Sequence, residues 1–175
     1  MMKICVFLFC LSFISCRKKD DIKILKIAVA SGWCRSGECP YSAIEIDSSL
    51  HYQYYGGLYA NPKGYYYGKF DKKDWAALNK DFGKIDFKDL KETYPYAYDE
   101  LETEMIIYSS KGKKHIKTQF ASLPIELKRI YKQLLKSYKL VKLTKSPKQL
   151  HFETTCQIPP KIIGEPKFPP PVIDK

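Results

Sequence analysis

Residues 43–55, AIEIDSSLHYQYY, decide the fold. Apolar and polar side chains alternate on both sides of a short Asp-Ser-Ser connection. Alternation places successive side chains on opposite faces of an extended chain, and small polar residues between two such runs favour a tight turn. The stretch therefore predicts a β-hairpin in which one face of each strand is buried.

Further strands are predicted on both sides of this hairpin. Upstream, residues 24–29 (ILKIAV) are almost wholly apolar, which is typical of a mostly buried strand. Downstream, residues 61–64 (NPKG) have the composition of a turn, and the aromatic run from Tyr65 to Phe70 favours a fourth strand. Four strands are therefore expected before the first helix.

Two helices are predicted from apolar residues at helical spacing. Asp71 supplies a capping side chain ahead of the first helix, and Gly83 follows its last apolar residue. Pro124 suits the first turn of the second helix, because that position needs no backbone N–H. The apolar stripes are Trp75, Leu78 and Phe82 in the first helix, and Leu127, Ile130, Tyr131, Leu134 and Tyr138 in the second.

The sheet is expected to continue between and after the helices. Residues 104–109 and 114–120 predict a second hairpin around a Ser-Lys-Gly-Lys turn, whose glycine suits a positive φ. Residues 86–101 show no clean period and predict an ordered loop. Residues 140–143 predict one more short strand.

This order of elements predicts an α+β fold, an antiparallel β-sheet with two amphipathic helices packed on one face. The single domain is assigned to residues 23–155. Residues 156–175 hold six of the chain's 11 prolines and predict an extended, proline-rich tail.

The first 15 residues have the pattern of a signal peptide. A positive start is followed by the apolar residues 4–14 and by the small residue Ser15. Residues 13–16 (FISC) resemble the lipobox of bacterial lipoproteins, in which the cysteine thiol is acylated. This resemblance implies lipidation of Cys16 and a tether over residues 16–22. The alternative is an ordinary secretory signal with an incidental cysteine.

Charge and the start of the mature chain indicate a location and a class of partner. Residues 19–21 (KDD) resemble the signal that carries certain Gram-negative lipoproteins to the cell surface. An outer membrane lipoprotein is therefore predicted, either surface-exposed or, if these residues are only a solvated tether, periplasmic. Without Lys3, 29 basic residues oppose 19 acidic ones, a net charge of +10 that favours acidic partners.

The expected partners are the membrane, through the lipid anchor, and an envelope protein or glycan. No run of the chain combines basic residues with the glycine and aromatic signature of a nucleic-acid module, so nucleic acid is not expected.

Residues 33–47 (WCRSGECPYSAIEID) resemble the opening of the family DUF6438, a domain of unknown function. The elements predicted from there to residue 138 follow the order usual in that family. The resemblance implies an exported protein, commonly a lipoprotein, and implies no activity.

The cysteines of the mature chain suggest a structural bond. In an oxidising compartment, the separation of Cys34 and Cys39 permits a small disulfide-closed loop. A redox pair is less favoured because the spacing is not Cys-x-x-Cys, and zinc would need about four ligands from a chain with three histidines. No metal and no cofactor is expected. Cys156 is left open as a free thiol, a partner of either cysteine, or an intermolecular bridge.

Two functions are compatible with these features. The favoured one is a non-catalytic binding or assembly module of the cell envelope, and its candidate contact residues are Tyr52, Tyr54, Tyr65, Tyr67, Tyr94 and Asp99. The alternative is an envelope hydrolase or thiol-redox enzyme, with a site at the acidic residues 99–104 or at the cysteine pair. The chain contains no Gly-x-Ser-x-Gly, His-Glu-x-x-His or phosphate-binding glycine motif, so no catalytic residue is assigned.

Overall fold

A computed structural model describes residues 22–95 and 100–159 of the chain. It has the predicted α+β architecture, with an antiparallel sheet and two helices. The signal peptide, Cys16, the tether up to residue 21, Asp99 and most of the proline-rich tail lie outside the described residues.

Seven strands form one sheet in the order β6-β5-β1-β2-β3-β4-β7, and every neighbouring pair is antiparallel. The strands are β1 (Ile24–Ser31), β2 (Ser42–Asp47), β3 (His51–Gly56), β4 (Gly64–Lys69), β5 (Glu102–Ser109), β6 (Gly112–Gln119) and β7 (Thr144–Lys145). The first hairpin is β2–β3, and the carboxylate of Asp47 accepts the backbone N–H groups of Ser49 and His51 at its turn. The second hairpin is β5–β6, and Gly112 has the positive φ that its turn requires, +114°.

Helices α1 (Lys72–Phe82) and α2 (Ile125–Lys136) cover one face of the sheet. Asp71 caps α1 as predicted, since its side chain accepts the N–H groups of Lys73 and Asp74. Pro124 lies immediately before α2. The core between this face and the helices contains Ile27, Val29, Ile44, Ile46, Tyr52, Tyr54, Leu78, Phe82, Met105, Ile107, Ile116, Leu127, Ile130, Tyr131 and Leu134.

The other face of the sheet is crossed by residues 149–159, which we call the strap. Phe152 and Cys156 of the strap pack against Ala30 and Ala43 on the sheet and form a second, smaller apolar cluster. Gly32 permits this crossing, because a Cβ atom there would lie 2.0 Å from the carbonyl oxygen of Cys156. The strap therefore covers part of the second face of the sheet.

Two details near the C-terminus differ from the sequence prediction. The last short strand is Thr144–Lys145, and it does not include residues 140–143. Cys156 and Gln157, assigned to the tail, are buried in the domain, with exposed fractions of 4% and 5%. The domain therefore extends past residue 155, because the strap shields apolar surface of the sheet from water.

Candidate binding site

A pocket of about 500 Å³ lies between the strap and strands β3 and β4. This volume is within the range of about 300–1,000 Å³ that is typical of small-molecule sites. The pocket is lined by Tyr55, Tyr65, Gln149, Leu150, His151, Phe152, Glu153, Thr154, Thr155, Gln157, Ile158 and Pro159.

The sheet contributes an aromatic wall to this pocket. Tyr55 and Tyr65 are direct partners in the β3–β4 register, so their side chains are neighbours on the same face of the sheet. Their rings stack with centroids 4.8 Å apart, and Phe152 of the strap tilts against Tyr55 at 6.4 Å. Both tyrosines are half-buried.

The strap contributes two buried polar side chains, each with an oxygen that has no hydrogen-bond partner. Thr154 is 1% exposed and Gln157 is 5% exposed. The Gln157 amide nitrogen donates to the backbone carbonyl of Thr154 at 2.6 Å. Among the described atoms, the Gln157 Oε1 and the Thr154 Oγ1 have no hydrogen-bond partner. A buried polar group left unpaired lowers the stability of a protein by about 1–3 kcal/mol. A hydrogen-bond partner for these two oxygens would therefore be favourable.

Glu104 on β5 fixes one end of the strap to the sheet. Its Oε2 accepts the backbone N–H groups of Thr155 at 2.6 Å and Cys156 at 2.9 Å. Its Oε1 lies 2.7 Å from the Nε2 of His115, a diagonal neighbour on β6. Burial raises the pKa of Glu104, but these hydrogen bonds outweigh burial, and the pKa falls below its usual value. The carboxylate is therefore ionised at neutral pH.

Glu153 fixes the middle of the strap. Its carboxylate accepts from the Lys26 ammonium group at 2.7 Å and from the Tyr108 hydroxyl at 2.5 Å. Lys26 also pairs with Glu45 at 2.6 Å. Burial raises the pKa of Glu153, but the hydrogen bonds from Lys26 and Tyr108 outweigh it, and the pKa falls from 4.5 to about 2.

The contribution of Glu153 to stability should be lost in acid. Its pKa is lower in the folded chain than in the unfolded chain, so its contribution is complete above pH 4.5 and disappears as the pH falls towards about 2. Glu153→Gln removes the charge and keeps the shape. Urea unfolding of both proteins should show a stability difference at neutral pH that closes over this window. A difference that stayed constant in acid would contradict the assignment.

Comparison with known protein families gives a match. The model of the family DUF6438, described as a domain of unknown function, matches residues 25–138. The chain belongs to this family. No curated protein and no solved structure matches the chain. The DUF6438 match includes Tyr55 and Tyr65 but ends before the strap. The aromatic wall of the pocket therefore lies within the matched range, and the strap lies beyond it.

The structure separates the contact tyrosines predicted in the DUF6438 domain. Tyr65 lines the pocket, and Tyr67, on the same strand, is 48% exposed beside it. Tyr52 and Tyr54 are 1% exposed and belong to the core rather than to a contact surface. The Tyr52 hydroxyl pairs with the Ser137 hydroxyl at 2.9 Å.

The other two candidates lie away from the pocket. Tyr94 is half-buried and lines a separate groove of about 310 Å³ with Pro124 and Glu126. Asp99 is outside the described residues, so its relation to Tyr94 is not part of the structure.

The structure places Cys34, Cys39 and Cys156. Cys34 and Cys39, the predicted pair, are joined by a disulfide with their Cα atoms 5.8 Å apart. Cys156 is a buried free thiol, and burial together with the nearby Glu104 raises its pKa well above the usual value. A protonated, covered thiol is a poor nucleophile. Within residues 22–95 and 100–159, no group of three or more His, Cys, Asp or Glu side chains is arranged to hold a metal ion.

Sequence reasoning missed the strap half of the pocket. Leu150, Phe152, Thr154 and Cys156 alternate with more exposed residues, which is the signature of an extended segment lying on a surface. That signal was present, but the prolines that follow favoured a tail. Glu104 was considered only as part of an acidic site at residues 99–104, and its role in holding the strap was missed, because an acidic residue in an alternating strand usually indicates the solvent face.

Proposed function

We propose that this protein is an outer membrane lipoprotein of a Gram-negative bacterium, anchored by Cys16, whose domain binds an envelope component without catalysis. The observation that carries the proposal is the pocket formed by the Tyr55–Tyr65 wall and the strap. It joins aromatic surface to buried polar atoms without partners, the combination expected of a small-ligand site.

The position of the pocket relative to the tether supports this proposal. The chain enters the domain at Ile22, just before the start of β1. The pocket tyrosines share a register row with Ala30, near the other end of β1, about 20 Å further along the strand. A ligand site at the end of the domain away from the tether would face away from the membrane that holds the anchor, where envelope components could reach it. Among the described residues, no helix is long and apolar enough to cross a membrane.

The chemistry of the described residues favours binding over catalysis. The cysteine pair of the redox alternative is oxidised in a disulfide, and Cys156 is covered and protonated. Glu104 faces His115 through its Oε1, and its Oε2 accepts the backbone N–H groups of Thr155 and Cys156, so both oxygens are already paired within the protein. These groups have structural partners already.

Removing the lipidation site should release the protein from the membrane. Cys16→Ala leaves no thiol for acylation, so the anchor is lost while the domain, which begins after residue 21, keeps its sequence. Cell fractionation and immunoblotting should find the wild type in the membrane pellet and the variant in the soluble fraction. Arg17→Ala, next to the site, is the matched control and should stay in the pellet. An unchanged distribution of the Cys16 variant would overturn the anchor.

Protease added to intact cells decides which face of the outer membrane carries the domain. Digestion of the wild type, while a periplasmic control protein survives, supports display on the surface through residues 19–21. Protection of both proteins places the domain in the periplasm and limits its partners to periplasmic ones.

A further inference from the structure

We infer that the pocket between the strap and the Tyr55–Tyr65 wall binds an uncharged saccharide. The inference deepens the proposed binding function, on which it rests, by naming the chemical class of the ligand. The aromatic wall, the two unpaired oxygens and the charges around them support this ligand class.

The aromatic wall suits a sugar ring. Tyr55 and Tyr65 stack at 4.8 Å and Phe152 tilts against Tyr55, so a ligand would contact the pair at the outer face of Tyr65 and at the ring edges. An aromatic face carries negative partial charge. The C–H groups of a pyranose are polarised positively by the oxygens of the same ring, so one side of a sugar packs favourably against such a surface.

On the polar side of the pocket, two oxygens have no hydrogen-bond partner within the described residues, so a ligand could supply one. The Gln157 Oε1 is an acceptor only, and the Thr154 Oγ1 is able to accept or donate. Each sugar hydroxyl is both a donor and an acceptor, so adjacent hydroxyls would satisfy both atoms. Neither oxygen touches solvent in the empty pocket, and pairing with a ligand therefore requires a side-chain rotation. The cost of leaving the oxygens unpaired favours that rotation.

Charge indicates that the saccharide is neutral. None of the described residues that line the pocket is a lysine or an arginine. The carboxylate in the lining, Glu153, is already paired with Lys26 and Tyr108. A phosphate or carboxylate on a ligand would therefore find no lysine or arginine in the wall, where His151 is the basic side chain, even though the chain as a whole is basic.

A proline-rich peptide is the competing ligand for an aromatic groove, and residues 160–175 of this chain are such a peptide. Proline has no backbone N–H, so the Pro169-Pro170-Pro171 run, the part of this segment that suits an aromatic groove, offers carbonyl acceptors and no backbone donor. The pocket has unpaired acceptors of its own. The saccharide therefore matches the Thr154 and Gln157 oxygens better than the peptide does.

Binding is tested by calorimetric titration of the full-length lipoprotein in a detergent without a sugar headgroup. The probes are neutral glycans, from maltose, cellobiose and chitobiose to their longer homologues, with a hyaluronan disaccharide as the anionic comparison. A synthetic peptide of residues 160–175 is the third probe. Saturable binding of a neutral glycan, with no binding of the anionic disaccharide or the peptide, is expected.

Three variants locate the binding. Tyr65→Ala removes half of the aromatic wall and should weaken the glycan at least about tenfold. Thr154→Val deletes the unpaired hydroxyl at constant shape, so the protein should fold normally. Its affinity for the glycan should nevertheless be several-fold lower. Tyr67→Ala, on the same strand but outside the lining, is the matched control and should bind as the wild type does. Equal affinity of all three variants would overturn the pocket as the site.

One further arm separates the ligand class from the proposed function. Failure of the wild type to bind any neutral glycan of the panel, or preference for the peptide, overturns the saccharide inference. Isolated envelope fragments are then mixed with the same protein in high salt, which screens adsorption through net charge. If the fragments retain the protein, the proposed binding function is still supported. If they do not retain it, the binding function and the saccharide inference are both overturned.

Discussion

Glu104→Ala should lower the free energy of unfolding by about 3–5 kcal/mol. The substitution removes the acceptor of the Thr155 and Cys156 N–H groups and the partner of His115. Cys156 is buried, so its N–H has no water to replace the carboxylate. Loss of the buried side-chain volume adds a cavity cost. Urea denaturation followed by tryptophan fluorescence would measure the change.

Glu102→Ala is the matched control for this substitution. Glu102 lies two residues earlier on β5, on the same face, and its carboxylate pairs with Lys117 at 3.4 Å. Because that pair is partly exposed, its loss should cost at most about 1 kcal/mol. Glu104→Gln keeps an acceptor and should fall between the two. Equal losses for Glu102→Ala and Glu104→Ala would show that Glu104 does not hold the strap.

The parts of the fold that follow a period were predictable. Residues 43–55 alternate, and they form β2 and β3 around the expected turn. The apolar stripe of α2 predicted its buried residues, since Leu127, Ile130, Tyr131 and Leu134 all contact the core. In these segments the local pattern and the final packing impose the same requirement on each residue.

The candidate site was only half predictable, because it depends on which face of the sheet each tyrosine occupies. Tyr54 and Tyr55 are adjacent on β3 and therefore point to opposite faces. Tyr54 enters the core under α2, while Tyr55 faces the strap. Sequence alone identifies two aromatic faces and does not say which one the helices cover.

The contacts of the strap connect residues that are far apart in the chain. Glu104 meets Cys156 across 52 residues, and Lys26 meets Glu153 across 127. No local period encodes such pairs. An isolated acid and an isolated lysine are usually solvated surface residues. Only the tertiary structure shows that Lys26 and Glu153 are partners.

Gly32→Ala should displace the strap from the sheet. The new Cβ atom would lie 2.0 Å from the carbonyl oxygen and 2.8 Å from the carbonyl carbon of Cys156. Both atoms belong to the backbone, so no side-chain rotation relieves the clash. We expect a loss of roughly 2–4 kcal/mol in the free energy of unfolding, as for severe overpacking. Amide hydrogen exchange in the strap should rise more than exchange in α2.

Gly83→Ala is the control for the added methyl group. Gly83 ends α1 in helical conformation, and its added Cβ would lie 3.4 Å from the nearest atom, the Lys80 carbonyl oxygen. Its effect should be within about 1 kcal/mol in either direction. The combination of Gly32→Ala with Glu104→Ala tests the mechanism, because both substitutions release the same segment. If the strap is one cooperative unit, the double variant loses less stability than the two single losses added together, whereas full additivity would mean that the two contacts hold the chain independently.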